Sequence, residues 1–204
     1  MGEFMISRTR RVGWARISMA CSAGVALALA GALFLTNPLA AQALFESDPI
    51  FDYAKNRDVG AISYLLKKGA SIDTADPSGQ TILSIAAGNG DGPMVRLALD
   101  NGARIEREDR IGRTALFWAI QNGNPDVVKQ LLNAGADINH QTRDGLTPVM
   151  AAVRSNRLAV LQVMLGGDPD LSVLDYTGRS ALGWAGNNRD KRAEEMLRRA
   201  GATD

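Results

Sequence analysis

The chain has 204 residues, with 23 Lys+Arg against 22 Asp+Glu, one His and one Cys. That length suits one domain or slightly more and is enough to bury a core. Balanced charge argues against a general nucleic-acid binder, one Cys excludes a disulfide framework and a thiolate zinc site, and one His excludes a multi-histidine metal centre. A hydrophobic content of 46% with few aromatics fits a helical protein rather than a multi-span membrane protein.

Residues 1–43 differ in composition from the rest. Arg8, Arg10, Arg11 and Arg16 form a basic stretch, and Ile17 to Leu35 is an uncharged, Ala-rich run that Thr36-Asn37-Pro38 breaks. A basic region, an apolar region and a small-x-small end make a secretory signal, with cleavage expected after Ala43 and with Ala41 and Ala43 as the two small residues the peptidase needs. The alternative is an uncleaved anchor over residues 14–36, since about 19 apolar residues also span a bilayer. A buried core helix is a third reading. The anchor would keep its arginines in the cytoplasm, so both leading readings export residues 44–204 to the periplasm. Thr9-Arg10-Arg11 hints at twin-arginine export, although Gly13-Trp14 continues it poorly. Cys21 lies ahead of most of the apolar run and lacks the Leu three places earlier that a lipid acceptor needs. Without the four leader arginines and Glu3, the remainder holds 19 basic and 21 acidic residues, a net charge of −2, and no Cys.

From about residue 47 onward the sequence repeats. Gly79, Gly112, Gly145 and Gly178 are 33 residues apart, Gly69, Gly102, Gly135 and Gly201 keep the same period with Asp168 in the missing step, and Ala86, Ala119, Ala152 and Ala185 keep it too. A fixed period of this size means stacked supersecondary units. Within each unit Thr81, Thr114, Thr147 or Ser180 stands where a hydroxyl caps a helix start, and Pro148 follows at the first helical position. A short helix with small Ala at its packing positions comes next, closed by Gly90 or Gly123. A second helix carries apolar residues at i, i+3 and i+4: Ile62/Leu65/Leu66, Val95/Ala98/Leu99, Val128/Leu131/Leu132 and Leu161/Met164/Leu165. Gly-Ala then ends it, with glycine suited to the left-handed position.

The units resemble the ankyrin repeat, most fully over 109–139, which reads DRIGRTALFWAIQNGNPDVVKQLLNAGADIN. The resemblance covers about 47–204 and implies an all-α solenoid of about five helix-turn-helix units with short hairpin loops, near 47–74, 75–107, 108–140, 141–173 and 174–204, preceded by the N-terminal apolar helix. The domains are then 1–43 and 44–204. The family's His after Thr-Pro-Leu is replaced by Ser84, Phe117, Met150 and Gly183, which predicts weaker coupling between units there. Glu194 and Arg198 stand where Val128 and Leu132 would meet a following repeat, so the last unit reads as a polar cap.

Proteins similar to this family bind partners, usually proteins, through hairpin tips and the open face of the first helices. The resemblance thus implies a non-catalytic interaction module with no cofactor, no metal, no small-molecule substrate and no nucleic acid. It would touch a membrane only through an uncleaved N-terminal segment. Some bacterial relatives act beside periplasmic catalase in peroxide defence, a role the resemblance permits. The phase places Arg110, Ile111, Arg113, Gln121, Asn122, Arg143, Leu146, Arg154, Tyr176 and Arg179 on the binding face. Five arginines there against one acid predict an acidic protein partner, since guanidinium groups pair with carboxylates in two bonds. Ile111, Leu146 and Tyr176 interleave with them as interface residues do. The competing reading is that these arginines are solubilising charges paired with Glu106, Glu108 and Asp109. His140 is read as an interface contact near Asp137 and Asp144, Trp118 and Trp184 as inter-helix packing, and Met94, Met150, Met164 and Met196 as core filler. The GNGDG run at 88–92 lacks the Lys-Ser/Thr and the strand that a phosphate loop needs.

Overall fold

The computed structural model describes residues 48–187 and 190–203. The leader readings, including the apolar helix, the anchor over 14–36 and the Ala41/Ala43 cleavage motif, lie outside the described residues. Among the described residues no helix is long and apolar enough to cross a membrane.

Ten helices are described, in five antiparallel pairs: α1 (Pro49–Lys55) with α2 (Val59–Lys67), α3 (Ile82–Asn89) with α4 (Gly92–Asp100), α5 (Ala115–Asn122) with α6 (Pro125–Asn133), α7 (Pro148–Arg154) with α8 (Leu158–Leu165), and α9 (Ala181–Gly186) with α10 (Arg192–Arg199). The first helices pack in one row, α1 to α3 to α5 to α7 to α9, and the second helices in a parallel row behind them. This is the architecture of a solenoid, in which each unit touches only its neighbours. The core runs continuously between the rows. Ala86, Ala119, Ala152 and Ala185 are fully buried, where the absence of a larger side chain lets neighbouring first helices approach. Ile62, Val95, Val128 and Leu161 are equally buried on the second helices, and their i+4 partners Leu66, Leu99, Leu132 and Leu165 pack partly buried against the core.

Local chemistry sets the helix ends. Thr81 and Thr147 accept from the backbone N–H of Ser84 and Met150, and Ser180 accepts from that of Gly183, so three of the four expected hydroxyl caps form. The fourth does not: Thr114 makes no cap hydrogen bond and its hydroxyl is buried without a partner. At the other end, Gly69, Gly102, Gly135 and Gly201 take positive φ of 97°, 76°, 93° and 94°. The following alanine N–H reaches back to Leu65, Ala98, Leu131 or Leu197, the Schellman closure of a helix. Asp168 fills the missing step with φ 55°, a left-handed conformation that costs a residue with a Cβ more than glycine. Asn156 does the same with φ 50° where Gly90 and Gly123 stand in earlier units.

Three sets of hydrogen bonds couple the units. The hairpin tips stack by backbone bonds, Arg110 N–H to Ser78 O, Arg143 N–H to Ile111 O and Tyr176 N–H to Asp144 O. Between the second helices and the next hairpins, Asp73, Glu106 and Asn139 accept from the backbone N–H of Arg104, Asp137 and Asp170, one unit further on, at 2.9, 2.9 and 2.8 Å. At the ends of the first helices, Asn122 and Asn124 donate to the carbonyls of Gly88 and Gly90, and Arg57 and Arg157 to those of Asn89 and Gln121. None of these bonds is made by Ser84, Phe117, Met150 or Gly183, the positions where weaker coupling was expected. Ser84 itself bonds only within its own unit, to Thr81, and Phe117 is buried, meeting the His140 ring edge-on at 6.1 Å. The C-terminal face is polar as expected: Glu194 pairs with Lys191 and Arg198, and Glu195 with Arg199.

Candidate protein-binding face

Each hairpin is built on one acidic or hydroxyl residue that organises the whole tip. Asp76 Oδ1 accepts from the N–H of Ser78 and Gln80, Asp109 Oδ1 from Ile111 and Arg113, and Asp175 Oδ1 from Thr177 and Arg179. In the fourth unit Thr142 substitutes and accepts from Leu146 N–H. Gly79, Gly112, Gly145 and Gly178 turn the chain at φ of 86°, 79°, 76° and 78°. The tips are therefore rigid, and what varies is the side chain beside each glycine. Burial pushes the Asp175 carboxyl up, but hydrogen bonds from the Thr177 hydroxyl, the Arg179 N–H, the Trp184 indole and the Thr177 N–H outweigh it and hold the group down at about 2.

Of the residues expected on the face, Arg110, Ile111, Arg143, Arg154, Tyr176 and Arg179 are exposed. Tyr176 is 74% and Ile111 48% exposed, large values for apolar side chains. Gln121 is half-buried. Asn122 is exposed but already engaged, its amide tied to Gly88 O at 2.9 Å. Leu146 is a correction: it is 7% exposed and belongs to the core. It follows Gly145 as Arg113 and Arg179 follow their glycines, but here the apolar side chain turns inward and lines the floor of a small pocket of about 60 Å³ with Phe117.

The arginines divide. Arg113 is bound to Asp109 with Nε to Oδ2 at 2.9 Å, and its guanidinium carbon lies 3.9 Å from the Trp118 ring centroid. Arg154 and Arg179 flank the Trp184 ring at 5.9 and 5.1 Å. Among the described residues, no carboxylate lies within ion-pair distance of Arg110, Arg143, Arg154 or Arg179. Glu106 and Glu108, the expected neutralising partners, face His140 instead, 3.9 and 3.6 Å from its ring nitrogens. The His140 ring also meets Gly112 O at 2.9 Å and its backbone N–H donates to Asp137 O at 3.4 Å, while the carboxylates facing the ring are Glu106 and Glu108. Trp118 packs on the preceding first helix at Gly88, where an added Cβ would lie 3.5 Å from its ring. Met94, Met150 and Met164 are fully buried, and Met196 packs partly buried.

The second-helix side carries an open groove of about 550 Å³ between α6 and α8, lined by Lys129, Leu132, Gln162 and Val163 among others. It was missed in sequence because it comes from a local shortage of side-chain volume at Ala159, Gly166 and Gly167. Among the described residues no cluster of three or more His, Cys, Asp or Glu is placed to hold a metal ion.

Paired helices with stacked tips at a 33-residue period define a helical-repeat scaffold. A family model described as ankyrin repeats (3 copies) matches residues 50–142, and one described as ankyrin repeats (many copies) matches residues 126–165. The chain belongs to the ankyrin-repeat proteins, whose fold is a non-catalytic scaffold. No characterised protein matches the chain as a relative.

Proposed function

We propose that this chain is an exported binding module that captures an acidic protein through the arginine-bearing face and supports that protein's assembly, activity or protection. The observation that carries this reading is the absence of internal carboxylates at Arg110, Arg143, Arg154 and Arg179 among the described residues, while Arg104, Arg192 and Arg199 have theirs. A repeat region of net charge −2 that concentrates unpaired guanidinium groups beside exposed Ile111 and Tyr176 presents a face complementary to carboxylates. Rigid tips lower the ordering cost of binding.

The test is calorimetry with a hexaglutamate peptide. The wild type binds, more weakly as salt rises, and the R110E/R143E/R154E variant binds at least tenfold more weakly. Equal affinity in a folded triple variant rejects the reading. Export rests on the basic-then-apolar leader, and it supports two outcomes. A native N-terminus at Leu44 means release into the periplasm, whereas a retained 14–36 segment makes the chain a membrane-tethered accessory subunit. Mass spectrometry of the chain from its source cells separates the two, and recovery of the repeats from the cytosol alone rejects both.

A further inference from the structure

The third and fifth units hold the same trio of residues in the same register and connect it differently. The trios are Asp109, Arg113 and Trp118, and Asp175, Arg179 and Trp184. In both, the aspartate Oδ1 is fixed by two backbone N–H groups, at 3.0 and 2.9 Å in the third unit and 2.8 and 3.0 Å in the fifth, where the hydroxyl of Thr177, standing in the place of the third unit's Ile111, also donates to it at 2.6 Å. In both, Oδ2 has one further side-chain donor. In the third unit that donor is Arg113 Nε at 2.9 Å, and the indole Nε1 of Trp118 is buried with no acceptor. In the fifth unit the donor is Trp184 Nε1 at 2.8 Å, and the Arg179 guanidinium stands off, exposed, 5.1 Å from the ring.

We propose that Asp109–Arg113–Trp118 is an exchange site for a carboxylate of the acidic protein partner. That carboxylate takes the guanidinium of Arg113, and Asp109 Oδ2 passes to Trp118 Nε1, giving the Oδ2–indole bond the fifth unit already has. The proposal rests on the acidic-partner reading and adds where and how one carboxylate is read. Two facts make the exchange favourable. A buried indole N–H without an acceptor is costly and gains one. The Asp109 side chain, only 3% exposed, is not left as an uncompensated buried charge, because two N–H groups and the indole then hold it. Arg113 and Arg154 line the same pocket of about 60 Å³, with Asp144 also in its lining, and that volume admits a carboxylate but not a larger head group. The released guanidinium can then meet the carboxylate with two parallel bonds.

The experiment follows the indole N–H resonances of the ¹⁵N-labelled full chain, with W118F and W184F variants for assignment. In R113Q without any ligand, the Trp118 indole proton moves downfield toward the Trp184 position and its exchange with solvent slows at least tenfold. R113M does the same, which covers a folding defect in either variant, and D109N/R113Q does not. Hexaglutamate added to the wild type produces the same movement at saturation. An unmoved Trp118 resonance in both folded Arg113 variants overturns the exchange. Movement in the variants but none at saturating hexaglutamate overturns the carboxylate as its trigger. Failure of hexaglutamate to bind at all sinks the acidic-partner reading instead, which keeps the two failures apart.

Discussion

Replacing Gly112 and Gly178 with alanine, one at a time, separates the strain within a hairpin from the contact between hairpins. The two glycines have nearly identical φ, 79° and 78°. Alanine in that left-handed conformation costs about 1–2 kcal/mol, and the loss of unfolded-state freedom, about 0.4–1 kcal/mol in the other direction, is common to both. Their surroundings differ. At Gly178 an added Cβ meets nothing within 4 Å, whereas at Gly112 it lies 2.8 Å from the Arg143 backbone nitrogen and 3.1 Å from its Cγ. The backbone of the next tip has to retreat, and the Arg143 N–H to Ile111 O bond of 3.2 Å is lost, a further ~0.5–1.5 kcal/mol. G112A is therefore about 0.5–1.5 kcal/mol more destabilising than G178A. G145A, whose Cβ meets the Tyr176 nitrogen at 2.8 Å, groups with G112A. Urea unfolding with linear extrapolation measures the difference. Equal losses for G112A and G178A would refute the view that tip stacking, and not the turn alone, requires glycine.

Two other predictions concern caps and pH. T147V loses the hydrogen bond to Met150 N–H and costs about 1 kcal/mol, while T114V removes a buried hydroxyl that has no partner and is neutral within ~0.5 kcal/mol or stabilising. Thermal or urea unfolding of the pair tests the difference. The Asp175 carboxyl titrates at about 2, below its ordinary 3.8, so its stabilising contribution is complete above about pH 3.8 and is lost as pH falls toward 2. The stability gap between wild type and D175N thus narrows between pH 4 and 2, and a constant gap across that window would exclude the hydrogen bonds to Asp175 as its source.

Sequence alone determined the repeat, because the period is written in residues whose requirement is local. Glycine at positive φ, hydroxyls at helix starts and an apolar triplet on each second helix need only their own unit, and the described residues, 48–187 and 190–203, fold largely as their spacing predicts. Asp168 was placed correctly in the glycine step for the same reason. The site was less legible. Exposure of Arg110, Arg143 and Tyr176 followed from their phase, but Leu146 shares the phase of Arg113 and Arg179 and is nonetheless buried, since an apolar side chain at the same backbone position turns inward beside Phe117. Only the tertiary structure decided which guanidinium groups have carboxylates. Asp109 lies four residues from Arg113 and Asp175 four from Arg179, identical in sequence, yet one pair forms and the other yields to an indole. Periodicity fixes where a backbone goes, while the choice among donors at one oxygen depends on rings and charges that meet only when the units stack.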